Sequence, residues 1–309
     1  MKQTIIILFL VLAITACKDN TNQLQSPTQT PSEYQQIITT HYQLYKPTQK
    51  AKAVLILFGG FPEQADDIKK EFKILELAKK NNIAVLLSNY NQKLWLYTQD
   101  KQQLATLLQN AITDNQLPTD AIYIGGFSSG GVVSLLLSDF ITASKQYNIN
   151  PKGVFIVDSP IDLEALYKAS QKNLARQFSE VSVEESTWIQ NTLTEAFGPP
   201  ETNLDNYQNN SVYTYSSNYS KNLQHLKDTK IRLYTEPDTL WWKTNRKADY
   251  DQMNAYYIKK LAEQLQAQQF KNVQYIPTQN KGYRSNGDRH PHSWSIIDVE
   301  DLVAWILND

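Results

Sequence analysis

The sequence predicts an α/β fold built on a mostly parallel, doubly wound sheet. Two observations predict it. Short, almost wholly apolar runs bounded by turn residues recur along the chain, as expected of strands buried on both faces. Stretches with helical spacing lie between them, and strand–helix–strand alternation favours right-handed crossovers into a parallel sheet. Lys plus Arg number 30 against 31 Asp plus Glu, so the chain lacks the cationic excess that nucleic-acid binding needs.

The chain opens on a targeting segment, residues 1–16. Lys2 gives a short basic region, and Ile5 to Ala16 is apolar apart from Thr15. That run has signal-peptide length and is too short to cross a bilayer. It ends Ile14-Thr15-Ala16-Cys17, which resembles the lipobox of bacterial lipoproteins. The resemblance implies an exported protein of the cell envelope, held on a bilayer by acyl chains on Cys17, on the periplasmic face or the cell surface. Cys17 is the chain's one cysteine, so no internal disulfide is expected. Residues 17–33, polar and without apolar periodicity, read as a flexible tether. Residues 34–309 read as the folded domain.

Six strands are expected in that domain: Ala53 to Phe58, Ile83 to Leu87, Ala121 to Ile124, Gly153 to Val157, Ile231 to Tyr234 and Asn272 to Ile276. Leu104, Leu107, Leu108 and Ile112 mark one helix; Met253, Tyr256, Tyr257, Leu261 and Leu265 mark another. Residues 160–229 form an insert between the fourth and fifth of these strands, longer than an ordinary connection. It carries two helical stretches, Leu163 to Phe178 and Val183 to Phe197, the second preceded by a Ser182–Glu185 capping box. The insert reads equally as a lid or as plain elaboration of the domain. Ser293 to Ile306 reads as the final helix.

Chemistry concentrates at Gly126-Phe127-Ser128-Ser129-Gly130, directly after the strand AIYI and directly before the apolar stretch VVSLLLSDF. A strand, a tight turn and a helix are the setting a nucleophile elbow needs. Small residues flank the serine so that strand and helix can approach, and the hydroxyl projects at the carboxyl edge of the sheet. The segment resembles the elbow of the α/β-hydrolase family, and the resemblance spans about residues 40 to 309. It implies a serine hydrolase, with the insert between the family's sixth and seventh strands.

A nucleophile needs N–H donors for the developing oxyanion. By the resemblance, one is Ser129 and the other is Gly60 or Phe61, in a Gly-Gly loop after the first predicted strand, where Phe58 replaces the family's His. Six of the ten glycines (59, 60, 125, 126, 130 and 131) fall in these two loops. Of four histidines, His292 best matches the family's base, in the loop after the last strand, with His290 beside it. The acid is expected at Asp238, after Ile231 to Tyr234, with Asp158 and Glu236 as alternatives. Trp241 and Trp242 line a substrate pocket or belong to the core. Lys281, Arg284 and Arg289 read as a solvated basic loop or an anion subsite. No cofactor or metal is expected, since His290 and His292 lack a further ligand at helical spacing. The implied activity is cleavage of a small-molecule ester, or an amide, through an acyl-enzyme. An acyltransferase, an exopeptidase and a ligand-binding lipoprotein without turnover are the alternatives.

Overall fold

Alternate residues of the central strands feed two separate cores, which is why those strands read as continuous apolar runs. Val54, Ile56 and Phe58 pack on one face of the sheet, while Leu55 and Leu57 pack on the other. The computed structural model describes residues 33–90 and 93–308. The signal segment, Cys17 and nearly all of the tether lie outside the described residues.

The sheet has eight strands: β1 (Tyr34–Ile38), β2 (Tyr42–Pro47), β3 (Ala53–Phe58), β4 (Ile83–Ser88), β5 (Ile122–Phe127), β6 (Pro151–Val157), β7 (Lys230–Thr235) and β8 (Asn272–Pro277). Their spatial order is β1-β2-β4-β3-β5-β6-β7-β8. Pairing from β4 through β8 is parallel, and β1 and β2 form an antiparallel edge. The six expected strands are β3 to β8. The edge pair carries Gln, Tyr and Lys among its apolar residues and lacks the all-apolar signature of the centre.

Ten α-helices fall among the described residues: α1 (Ala65–Glu71), α2 (Leu75–Lys80), α3 (Thr98–Asp114), α4 (Ser129–Ala143), α5 (Leu163–Arg176), α6 (Glu180–Phe197), α7 (Pro200–Asn210), α8 (Thr239–Arg246), α9 (Asn254–Ala267) and α10 (Val299–Leu307). Helix α4 lies against β3, β5 and β6 and is buried on nearly every side, which explains its apolar sequence. The insert between β6 and β7 supplies α5, α6 and α7. Leu163, Tyr167, Ile189, Leu193, Phe197 and Tyr207 give it a small core of its own, closed by Leu94.

Two boundaries differ from the sequence reading. Helix α6 begins a turn early, because Ser179 rather than Ser182 is its N-cap and accepts the Ser182 N–H at 3.3 Å. The expected final helix breaks into a 3-10 turn at Trp294–Ile296 and α10, whose N-cap Asp298 accepts the N–H groups of Glu300 and Asp301.

Candidate active site

The turn between β5 and α4 has the geometry of an elbow. Ser128 sits at φ 51°, ψ −126°, a strained conformation for a residue with a side chain. Its N–H donates to Val157 O of β6 at 2.9 Å, which fixes the turn to the neighbouring strand. The flanking glycines are required by contact. A Cβ on Gly126 would stand 2.2 Å from the backbone of Gly130, and one on Gly130 would stand 2.2 Å from Phe58 O. Ser128 is half-buried, and Ser129 opens α4, where the first N–H groups lack intrahelical acceptors.

His292 and Asp158 are brought together from distant parts of the chain. The His292 ring packs on Phe127, centroid to centroid 4.5 Å, immediately beside the elbow. Its Nδ1 lies 2.7 Å from Asp158 Oδ2. Asp158 follows β6 as Ser128 follows β5, and it too has positive φ, at 45°. Its second oxygen accepts the Thr235 hydroxyl at 2.6 Å, and its carbonyl accepts the Asn254 side-chain amide at 2.8 Å. Asp158 is buried, at 4% exposure, and a buried polar group needs such hydrogen-bond partners.

Of the carboxylates expected to partner the histidine, it is Asp158 and not Asp238 that bonds to His292. Asp238 is otherwise engaged: it caps α8 by accepting the Trp241 N–H at 2.9 Å and pairs with Arg289 at 2.7 Å. Glu236 is also engaged. Its buried carboxylate accepts the N–H groups of Lys281 at 2.8 Å and Gly282 at 2.9 Å, and it pairs with Arg289, so it moors the loop that carries His292.

The glycine loop after β3 reaches the elbow. A Cβ on Gly60 would lie 3.0 Å from Ser128 Cβ. The Gly60 N–H, however, donates to Glu63 Oε2 at 2.9 Å. That N–H is taken by the carboxylate and does not present a free donor to Ser128. The Phe61 ring is half exposed and meets Trp188 of α6 at 5.0 Å, so the insert touches this loop.

Around the imidazole the surroundings are aromatic. Trp241 packs on His290 at 4.6 Å and on Trp242 at 5.3 Å, and both indoles are half-buried, outside the buried core. Burial, with help from the charges of His292, Arg284 and Arg246, pushes the His290 pKa down to about 3. It is thus a neutral ring at pH 7, and its Nδ1 accepts the His292 N–H at 3.2 Å. Arg289 is held by two carboxylates and does not offer a free cation to an anionic substrate. His41 is exposed, and His225 pairs with Asp139 at 2.9 Å on the far part of α4. Among the described residues, no cluster of His, Cys, Asp and Glu has the make-up of a metal site. Thr235, Asn254 and Glu63 escape sequence reasoning, because their importance lies in partners that only the folded chain supplies.

No family model matches the chain, and no curated protein sequence matches it. Solved structures do. One similar structure comes from a study of two esterases of the fungus Rhizomucor miehei: 13% identity, 89% of this chain and 82% of that one, TM-score 0.52. Another is carboxyl esterase 2 of the mycorrhizal fungus Tuber melanosporum: 14% identity, 81% of this chain and 78% of that one, TM-score 0.50. At such identities the likeness speaks for architecture. The chain has the α/β-hydrolase fold.

Proposed function

We propose that the protein is a serine hydrolase acting on carboxylic esters, with Ser128, His292 and Asp158 as its triad. One observation carries the reading: a serine held at positive φ on a strand-to-helix turn, with an Asp-bonded imidazole packed against the preceding residue. Asp158 holds the proton of His292 on Nδ1, which leaves Nε2 to accept the Ser128 proton. As Ser128 Oγ bonds to the carbonyl carbon, the C=O electron pair moves onto oxygen and is met by the N–H groups of Ser129 and Phe61. Collapse expels the alcohol, which takes the proton from His292. Water then repeats the sequence on the acyl-enzyme and releases the acid.

The half-exposed rings of Phe61, Trp188, Trp241 and Trp242 favour small, uncharged, partly apolar substrates. The Cys17 sequence supports attachment of this enzyme to a bacterial envelope membrane.

A fluorophosphonate probe and a panel of acyl esters, aminoacyl amides and acceptor alcohols test the proposal. The expected result is labelling and ester cleavage by the wild type, both lost in Ser128→Ala. A folded wild type that neither labels nor turns over would overturn it and leave a binding lipoprotein. Incorporation of an alkynyl fatty acid, lost in Cys17→Ala, checks the anchor.

A further inference from the structure

We propose that Glu63 is the positioning residue of the oxyanion hole: by holding the Gly60 N–H inward, it sets the next peptide so that Phe61 N–H faces the reacting carbonyl oxygen. The inference rests on the ester-hydrolase reading and adds to it a residue that does not touch substrate.

Glu63 joins the glycine loop to the wall behind the nucleophile. Its Oε2 accepts two donors, the Gly60 N–H at 2.9 Å and the indole N–H of Trp294 at 3.1 Å. Its own N–H returns to Gly60 O at 2.6 Å, so the loop closes on itself through residues 60–63. Trp294 is a firm anchor. It is 1% exposed and packs between Phe72 at 4.8 Å and Phe127 at 5.5 Å, the same Phe127 that carries the His292 ring. On its other side the loop is confined by the elbow, where a Cβ on Gly60 would come within 3.0 Å of Ser128 Cβ. Gly59 is confined by Glu63 itself, since a Cβ there would lie 2.7 Å from Glu63 Cβ. A glycine pair is otherwise the most mobile dipeptide available, so a loop containing it needs an external clamp.

The clamp is costly. Burial raises the Glu63 pKa above the usual carboxylate range, against the lowering effect of its two hydrogen bonds and of the Arg284 and His292 charges. A structural filler at this position needs no carboxylate. A device that must fix one N–H and steer the next does need an acceptor, and oxyanion donors act only when already aimed before charge develops.

The test compares full-length wild type, Glu63→Ala and Glu63→Gln on a p-nitrophenyl ester. Affinity for a trifluoromethyl ketone, which forms an oxyanion on Ser128, is measured alongside. Removing an oxyanion donor outright costs roughly 100–1,000-fold in kcat, so a misaimed donor should cost about 10–100-fold. Glu63→Ala is expected to lower kcat by that factor with KM within about threefold, and to weaken the ketone in proportion to kcat/KM. Glu63→Gln keeps an oxygen for both N–H groups and should recover to within about fivefold of wild type. If Glu63→Ala does not fold, Glu63→Met, similar in length but without an oxygen, takes its place. Unchanged kcat, a loss confined to KM, or a Gln variant as impaired as the Ala or Met variant would overturn the role of Glu63 alone. Absence of Ser128-dependent turnover in the wild type would instead overturn the hydrolase reading, and this inference with it.

Discussion

Replacing Asp158 by Asn separates the triad drawn here from the one centred on Asp238. Asp158 Oδ2 faces His292 Nδ1 at 2.7 Å, and Oδ1 accepts the Thr235 hydroxyl at 2.6 Å. An Asn side chain fits the same space. The Thr235 hydroxyl retains the amide oxygen, which turns the NH2 group toward Nδ1. The imidazole must then carry its proton on Nε2, where it cannot accept one from Ser128. The imidazolium also loses its counter-charge in a buried setting. For an aspartate in this role, the same exchange costs about 10,000-fold in kcat, or about 5.4 kcal/mol. Asp238→Asn should cost little. Asn caps helices as well as Asp does, and a partly exposed ion pair with Arg289 contributes roughly 0–1 kcal/mol. Initial rates on an ester, the rate of fluorophosphonate labelling and the melting temperature are measured for both variants. Asp158→Asn is expected to lose about four decades in kcat with a near-native Tm, and Asp238→Asn to stay within a few-fold of wild type. Equal losses, or losses in the reverse order, would refute the assignment.

Three further outcomes follow from the geometry. Gly130→Ala sets a methyl group 2.2 Å from Phe58 O, and the β3–α4 approach cannot relax locally; stability should fall by about 3 kcal/mol or more, read from urea midpoints. Burial raises the Asp162 pKa to about 6, so its protonated form favours the fold, and this contribution is complete below the unfolded value of 3.8 and lost as pH rises through about 6. Asp162→Asn should therefore gain on wild type by up to about 3 kcal/mol between pH 4 and 7, less what the lost acceptor for Ala165 or Tyr215 N–H costs, and parallel urea midpoint–pH curves would count against it. His290, held neutral with its pKa near 3, should show no imidazole titration by NMR between pH 5 and 8, and its contribution to stability, full above 6.5, should fade as pH drops toward 3.

The parallel centre of the sheet is legible in sequence because burial on both faces strips most polar residues from β3 to β6. The elbow is legible for a related reason. Gly126 and Gly130 are forced by backbone contacts of 2.2 Å, so the chemistry leaves a fixed residue pattern in the chain. The edge strands are not legible. Of β1, only intermediate and exposed residues show, and nothing in YQQII distinguishes a strand from a polar loop. Gly60 and Phe61 are one residue apart in sequence and equal in motif terms. What separates them is the Glu63 carboxylate, whose link to Trp294 spans more than two hundred residues.

The acid shows most clearly where sequence reasoning ends. Asp238 and Asp158 each follow a parallel strand, β7 and β6, and these strands are neighbours in the sheet. A shift of one strand spacing, roughly 4.8 Å, thus decides which carboxylate meets the same imidazole. Local signals do exist. Asp238 precedes the Thr-Leu-Trp-Trp start of α8, and an Asp just before a helix is the usual cap, already supplied with an N–H to accept. Asp158 precedes Ser-Pro and begins no helix; it takes positive φ, which Asp tolerates better than most residues. A carboxylate already engaged as a cap and as half of an ion pair is a poor candidate to orient a histidine, whereas one left over at a strand end must find its partner elsewhere. Read that way, the capping pattern after β7 counts against Asp238 and in favour of the carboxylate one strand over.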